Sequence, residues 1–181
     1  TSSGTLSLWR DGAAVTNPEM NIFGNGTYAY KANMTGNQNY SNNATGFTIY
    51  ALVNKGTPTL STSVSSPITY PTASNYAGSE PNIGDTDCTY TLYRNGTSLG
   101  SGSSVSDITV LPVGAYNYSY VTAGCTNWTA AIDTRYLTVN IATTTVTLLL
   151  NGTATNITST YPNSSINVTA ISNIAGLTVT I

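Results

Sequence analysis

Three blocks of this sequence occur twice, in the same order, and that repetition limits the fold more than any single residue does. "LSLWRDG" at Leu6–Gly12 returns as "YTLYRNG" at Tyr90–Gly96. The stretch opening "GTYAYKANMTGNQNY" at Gly26 returns as "GAYNYSYVTAGCTNW" from Gly114. "SPITYPT", ending at Thr72, returns as "NITSTYPN", ending at Asn163. The blocks recur 84 to 91 residues apart. That is the length of one immunoglobulin-like sandwich, and far longer than a leucine-rich or helical repeat.

Within a repeat the apolar residues alternate. "TYTLYRNG" alternates into an Asn-Gly pair, the strongest short-range hairpin signal. The spacing predicts strands over 58–64, 66–70, 88–94, 103–111, 115–122 and 134–141, with a looser stretch over 73–84. Thirteen Tyr and abundant Thr suit a pleated surface. No segment of helical length carries a 3.6-residue period with caps. The expected class is all-β, as tandem immunoglobulin-like β-sandwiches with incomplete terminal domains that neighbouring subunits complete.

The phase of the repeat gives that expectation its content. One complete sandwich is expected over 57–141. Residues 1–56 correspond only to the second half of a unit. Residues 142–181 correspond only to a first half, with "AGLTVTI" aligned to the strand before "YRNG". Half a sandwich leaves an apolar face and a strand edge uncovered. Three arrangements resolve this: a window of a longer tandem array, completion of one molecule by the next through strand complementation, or closure within one molecule. Closure is disfavoured, because a complete sandwich would stand between the two halves. A fourth reading, two sandwiches divided near residues 55–60, remains open.

Charge removes several function classes. Only 7% of residues are charged and the net charge is −2, with five Lys and Arg in all. Such a chain has no field to steer nucleic acid. No run of 18 apolar residues is present, so no membrane-spanning helix is expected. The chain opens on polar residues from Thr1 without a signal peptide, as a mature or excised fragment would. There is no His, which removes the usual general base and imidazole metal ligand. Asp85 with Asp87, or Asp107 with Asp133, could form a carboxylate pair for glycoside hydrolysis, but a turn-capping role for the first pair is the better account. The same "DTD" could offer oxygen ligands to calcium, although the run is far shorter than an EF-hand loop. No catalytic residue, metal site or cofactor is expected.

Cys88 and Cys125 are the only cysteines. If strands 88–94 and 115–122 are antiparallel neighbours, Cys125 lies just beyond the end of the second, beside the start of the first. A disulfide is then geometrically reasonable. Two free core thiols, or a two-cysteine metal or redox site, are the other readings. The matching positions in the first copy are near Gly4 and Asn37, so any such bond would be an optional staple. Sequons begin at Asn25, Asn33, Asn39, Asn43, Asn95, Asn117, Asn127, Asn151, Asn156, Asn163 and Asn167. They exceed what composition alone would supply, which favours secretion and N-linked glycans over an unmodified Asn/Thr-rich chain. Tyr40 and Trp128 occupy matching loop positions and are the candidate ligand-facing aromatics. A plug over the end of the sandwich is the alternative role for Trp128. Trp9 and the stripe Tyr116, Tyr118, Tyr120 read as strand-face residues.

Taken together, "LYRNGTSLGSG…VLPVGAYNYSYVTAGCTNWT" and "TTTVTLLLNGTATNITSTYPNSSINVTA" resemble repeats of large archaeal cell-surface proteins with immunoglobulin-like domains. That resemblance implies a stalk, adhesin, surface-layer or filament role at the cell surface, and brings no catalytic residues with it. The expected function is an extracellular structural subunit, assembling head to tail with itself or adjoining repeats. A surface adhesin module that binds carbohydrate or protein is the alternative.

Overall fold

The computed structural model describes residues 4–84, 86–162 and 165–174, and among these every regular element is a strand. Four strands form the first sheet: β1 (Leu6–Arg10), β2 (Ala13–Val15), β3 (Gly26–Met34) and β4 (Asn43–Val53). Their order across the sheet is β2-β1-β3-β4, all antiparallel.

The middle of the chain is a two-sheet sandwich. One layer holds β5 (Ser61–Ser63), β7 (Tyr76–Ser79) and β10 (Ser104–Asp107) in the order β10-β7-β5. The other runs β6-β12-β11-β8-β9, built from β6 (Ile68–Thr69), β8 (Tyr90–Arg94), β9 (Thr97–Ser101), β11 (Gly114–Thr122) and β12 (Ala131–Asn140). Alternation puts Tyr90, Leu92, Tyr118, Tyr120, Leu137 and Val139 on the inner face, where all are buried. Tyr76 closes the core from the opposite layer, its ring stacked on Tyr118 at 4.7 Å between centroids. The tyrosine stripe therefore lines the core, with Tyr116 packed at its margin.

The observed strands of the central unit differ from the sequence reading in three places. β9, the outgoing arm of the Asn95-Gly96 hairpin, is absent from the strands that the spacing predicts. β7 falls in the stretch read as loose, because Gly78 and Ala77 carry little strand propensity and the partners β5 and β10 supply the pairing instead. The strand expected over 103–111 stops at Asp107, where the side chain turns inward. Residues 175–181, which include "AGLTVTI", lie outside the described residues.

The first sheet repeats the β9-β8-β11-β12 part of the sandwich in order and register. Leu8 pairs with Ala32 as Leu92 pairs with Tyr120, and Arg10 pairs with Tyr30 as Arg94 pairs with Tyr118. The hairpin corners agree as well. Asp11-Gly12 and Asn95-Gly96 both have positive φ at each residue, the primed turn whose twist suits a two-residue hairpin. Each Asx side chain then locks the next strand: Asp11 Oδ1 accepts the Ala29 N–H at 2.7 Å, and Asn95 Oδ1 accepts the Asn117 N–H at 2.8 Å.

A final strand pair, β13 (Val146–Leu150) and β14 (Val168–Ser172), is antiparallel. It follows β12 after five residues of connection, much as β5 follows β4. Its base is clamped in the manner of the β5–β7 layer. The Thr59 N–H donates to Asn82 Oδ1 at 2.8 Å, and Asn82 Nδ2 returns to the Thr59 carbonyl. In the final pair, the Thr145 N–H donates to Asn173 Oδ1 at 2.9 Å, and Asn173 Nδ2 donates to the Thr143 carbonyl. Its other end, at Asn151-Gly152, borrows the Asx corner: Asn151 Oδ1 accepts the Asn167 N–H at 2.7 Å.

Candidate functional site

The feature that sets this chain apart is an apolar sheet face with no second layer over it. On β1, β3 and β4 the alternation gathers Leu6, Leu8, Tyr30, Ala32, Phe47 and Ile49 on one side, since directly paired residues share a face. Among the described residues no strand covers that side: Phe47 is 73% exposed, Ile49 55% and Leu6 56%. Their counterparts by register are Tyr90, Leu92, Tyr118, Tyr120, Asp133 and Arg135, of which the first four are buried, Asp133 is half-buried and Arg135 is exposed.

Part of the face is nonetheless finished. The segment after β2 brings Glu19 against Arg10, while the Tyr30 hydroxyl donates to Glu19 Oε2 at 2.9 Å. The Phe23 ring lies 4.7 Å from that of Tyr28 at a tilt of 43°, with the Arg10 guanidinium over its face. The sandwich holds the same cluster with an equally sheltered carboxylate, where Arg94 pairs with Asp107 and the Tyr118 hydroxyl donates to Asp107 Oδ2 at 2.6 Å. Burial opposes the Asp107 charge, but hydrogen bonds from Thr109 and Tyr118 and the adjacent Arg94 outweigh it and hold the carboxyl below its usual range. Burial and the neighbouring carboxylate push the Tyr118 hydroxyl up, and Tyr30 shifts in the same direction for the same reasons. Burial raises Tyr76 to about 12.

These Arg–carboxylate–Tyr clusters escaped the sequence reading. Arg94, Asp107 and Tyr118 sit on three strands and meet only through register. The one available signal was the shared Arg before both Asx-Gly corners, paired with a Tyr in the matching later strand.

Cys88 and Cys125 form a disulfide across a Cα–Cα distance of 5.0 Å. It ties the start of β8 to the loop after β11. Asp87 accepts both the backbone N–H and the hydroxyl of Thr126, which lowers its pKa. Asp87 and the two sulfurs lie within 4.8 Å of one another, but sulfurs bonded to each other present no thiolate to a metal. Asp85 and Asn163 lie outside the described residues. Asp133 accepts from the Thr62 hydroxyl and pairs with Arg135, while Asp107 serves its own cluster.

Trp128 and Tyr40 are not brought together, since each belongs to the loop of a different sheet. Trp128 is half-buried, its indole N–H donating to the Ile83 carbonyl at 3.1 Å and its ring lying against Gly56. A Cβ at Gly56 would stand 2.8 Å from that ring, so the close approach depends on glycine. Tyr40 stays 68% exposed. Beside Trp128 runs a groove of about 390 Å³ lined by Phe23, Asn25, Val53 and Ile83.

Most sequon asparagines are exposed: Asn39, Asn43, Asn95, Asn117, Asn151, Asn156 and Asn167 present their side chains at the surface, and Asn33 is half-buried. Asn127 differs. Its Oδ1 accepts the Asn25 N–H at 2.8 Å and its Nδ2 donates to the Gly84 carbonyl at 3.0 Å, which occupies both ends of the amide. The Asn25 Nδ2 is likewise committed, to the Val53 carbonyl.

No family model and no curated protein matches this sequence. Among solved structures, the chain is similar to the fibronectin(III)-like modules of Clostridium thermocellum CbhA, at 12% identity and a TM-score of 0.34, over 75% of this chain and 77% of that one. The chain is an all-β protein with an immunoglobulin-like sandwich at its centre. No described helix is long and apolar enough to cross a membrane.

Proposed function

We propose that this chain is an extracellular structural module whose β-sandwiches join end to end in a filament, stalk or surface layer, with strand complementation closing the open sheet. It has no catalytic role in this reading. The observation that carries the proposal is the uncovered apolar face of β1–β4. No described residue supplies its second layer, and in this reading another subunit or an adjoining repeat does so, because an exposed apolar face is a liability unless something docks on it. The Cys88–Cys125 bond supports an oxidising compartment. The low charge and the exposed sequons support a glycan-shielded surface, where stiffness and reach would be the product.

The adhesin alternative rested on exposed aromatics with converging polar groups. A Trp128 packed on Gly56 and bonded to Ile83 weakens it, because that ring serves the connection between sheets.

Light scattering over a concentration series tests the proposal. Mass should rise with concentration through multiples of one subunit, without a plateau at the dimer. A constant monomer mass up to millimolar protein would reject it.

A further inference from the structure

We infer that the occupant of the open face is the β13–β14 pair of a second copy of this chain, set in the register that β5 and β7 hold inside the complete sandwich. The inference rests on the end-to-end assembly proposed above and specifies its contact.

The register follows from shared bonding. The Thr145 N–H meets Asn173 as the Thr59 N–H meets Asn82, although Asn173 returns its Nδ2 to Thr143 and not to Thr145 itself. Aligning the two threonines places Leu148 where Thr62 stands and, through the strand pairing, Val168 where Tyr76 stands. On the receiving sheet, Phe47 holds the position of Asp133, Ile49 that of Arg135 and Tyr30 that of Tyr118, fixed by their pairing with β3 and β11. In the sandwich, Thr62 links the two layers by polar contacts, donating its hydroxyl to Asp133 at 2.5 Å and accepting from Arg135 Nε at 2.9 Å.

At all three matching positions in the open halves the polar residue is replaced by an apolar one. Leu148, Phe47 and Ile49 are each more than half exposed in the single chain. One polar side left unchanged would have set a partly covered charge against leucine or phenylalanine. The concerted change instead makes the β13 face and the β4 face fit each other. Val168 would likewise lie on Tyr30 where Tyr76 stacks on Tyr118.

The same register explains the exposed Tyr40. Asn37 accepts at its backbone carbonyl from Tyr40, and its N–H donates to the Tyr40 carbonyl at 2.8 Å, as the Cys125 N–H donates to the Trp128 carbonyl. Tyr40 thus stands where Trp128 stands. Ala142 of the second copy would stand at the Gly56 position, beside the ring but without the close approach that glycine alone permits.

The test is cysteine pairing under mild oxidation, read on non-reducing gels and by mass. The double variant Phe47→Cys with Leu148→Cys should give a ladder of linked chains. Phe47→Cys with Thr147→Cys, one residue out of register, should give far less. A closed, internally linked monomer from the first variant would overturn the second-copy assignment. Equal ladders from both variants, with the unmodified protein still assembling, would overturn the register and leave end-to-end assembly standing. A protein that stays monomeric and yields no ladder would sink both.

A second series avoids cysteine. Leu148→Thr alone should raise the concentration for half-assembly by about tenfold or more. Adding Phe47→Asp and Ile49→Arg installs the sandwich's own polar trio and should recover most of that loss. No recovery, with each variant still folded, would overturn the contact.

Discussion

The sheet β1–β4 and the β9-β8-β11-β12 part of the sandwich share strand order, register, Asx-Gly corners and an Arg–carboxylate–Tyr cluster, yet the second is a covered layer and the first an open one. Their difference lies in what faces them. In the sandwich, Tyr118 and Tyr120 are fully buried beneath Tyr76 and its layer. In the first sheet, the matching Tyr30 and Ala32 are half-buried, while Phe47 and Ile49 beside them are exposed. Pairing and corner chemistry are therefore sufficient to build the sheet, while burial of its face is a separate event. The two regions should respond differently to the same perturbation.

Core truncation should separate them most. Leu92→Ala removes a fully buried side chain and should cost about 3–4 kcal/mol in denaturant unfolding, whereas the matching Leu8→Ala, half-buried in the single chain, should cost about 1 kcal/mol. Equal losses would mean that the first sheet is covered in dilute solution. Removal of the staple comes next. Cys88→Ser with Cys125→Ser should destabilise the sandwich by about 2–4 kcal/mol. The first sheet should not respond to reduction, since Gly4 and Asn37 hold the matching places and Asn37 instead caps its own turn through Oδ1.

Changes of pH sharpen the comparison from both sides. The Asp107 carboxyl has a lowered pKa in the folded state, so its contribution is present above the ordinary carboxylate range and is lost as pH falls through the folded value. Melting curves between pH 6 and roughly pH 2 should show this loss, and Asp107→Asn should flatten it. Tyr76 and Tyr118 are raised, so their contribution is complete below the ordinary tyrosine value and is lost as pH climbs toward about 12 for Tyr76. Unfolding of the sandwich should therefore grow easier above roughly pH 10. A flat alkaline profile would count against tight burial of that stack.

The smallest effect concerns glycans. Peptide mapping of protein expressed in a glycosylating host should find sugar at Asn39, Asn117 or Asn156, and little at Asn127, whose amide is bonded at both ends. Efficient occupancy of Asn127 would show that the bond to Asn25 opens before the sheet is set.

Much of the fold was legible because its signals are local. The alternation around Asn95-Gly96 needs only neighbouring residues to interpret, whereas the Cys88–Cys125 pairing depends on strands 88–94 and 115–122 being antiparallel neighbours. β7 was harder to see, because "YAGS" forms a strand through its partners rather than its own propensity. The candidate site was legible only as an expected open face. Its particular residues, Phe47 and Ile49 opposite the Asp133 and Arg135 positions, required the register.

Sequence alone determined the repeat, the all-β class and the turns, since period-two alternation and Asx-Gly corners act over a few residues. Tertiary structure decided that Arg94, Asp107 and Tyr118 meet, that Trp128 packs on Gly56, and that Leu8 and Leu92 lie in unlike surroundings. The physical reason is that burial and register depend on which strand lies across a face, a relation between distant segments that local pattern does not contain.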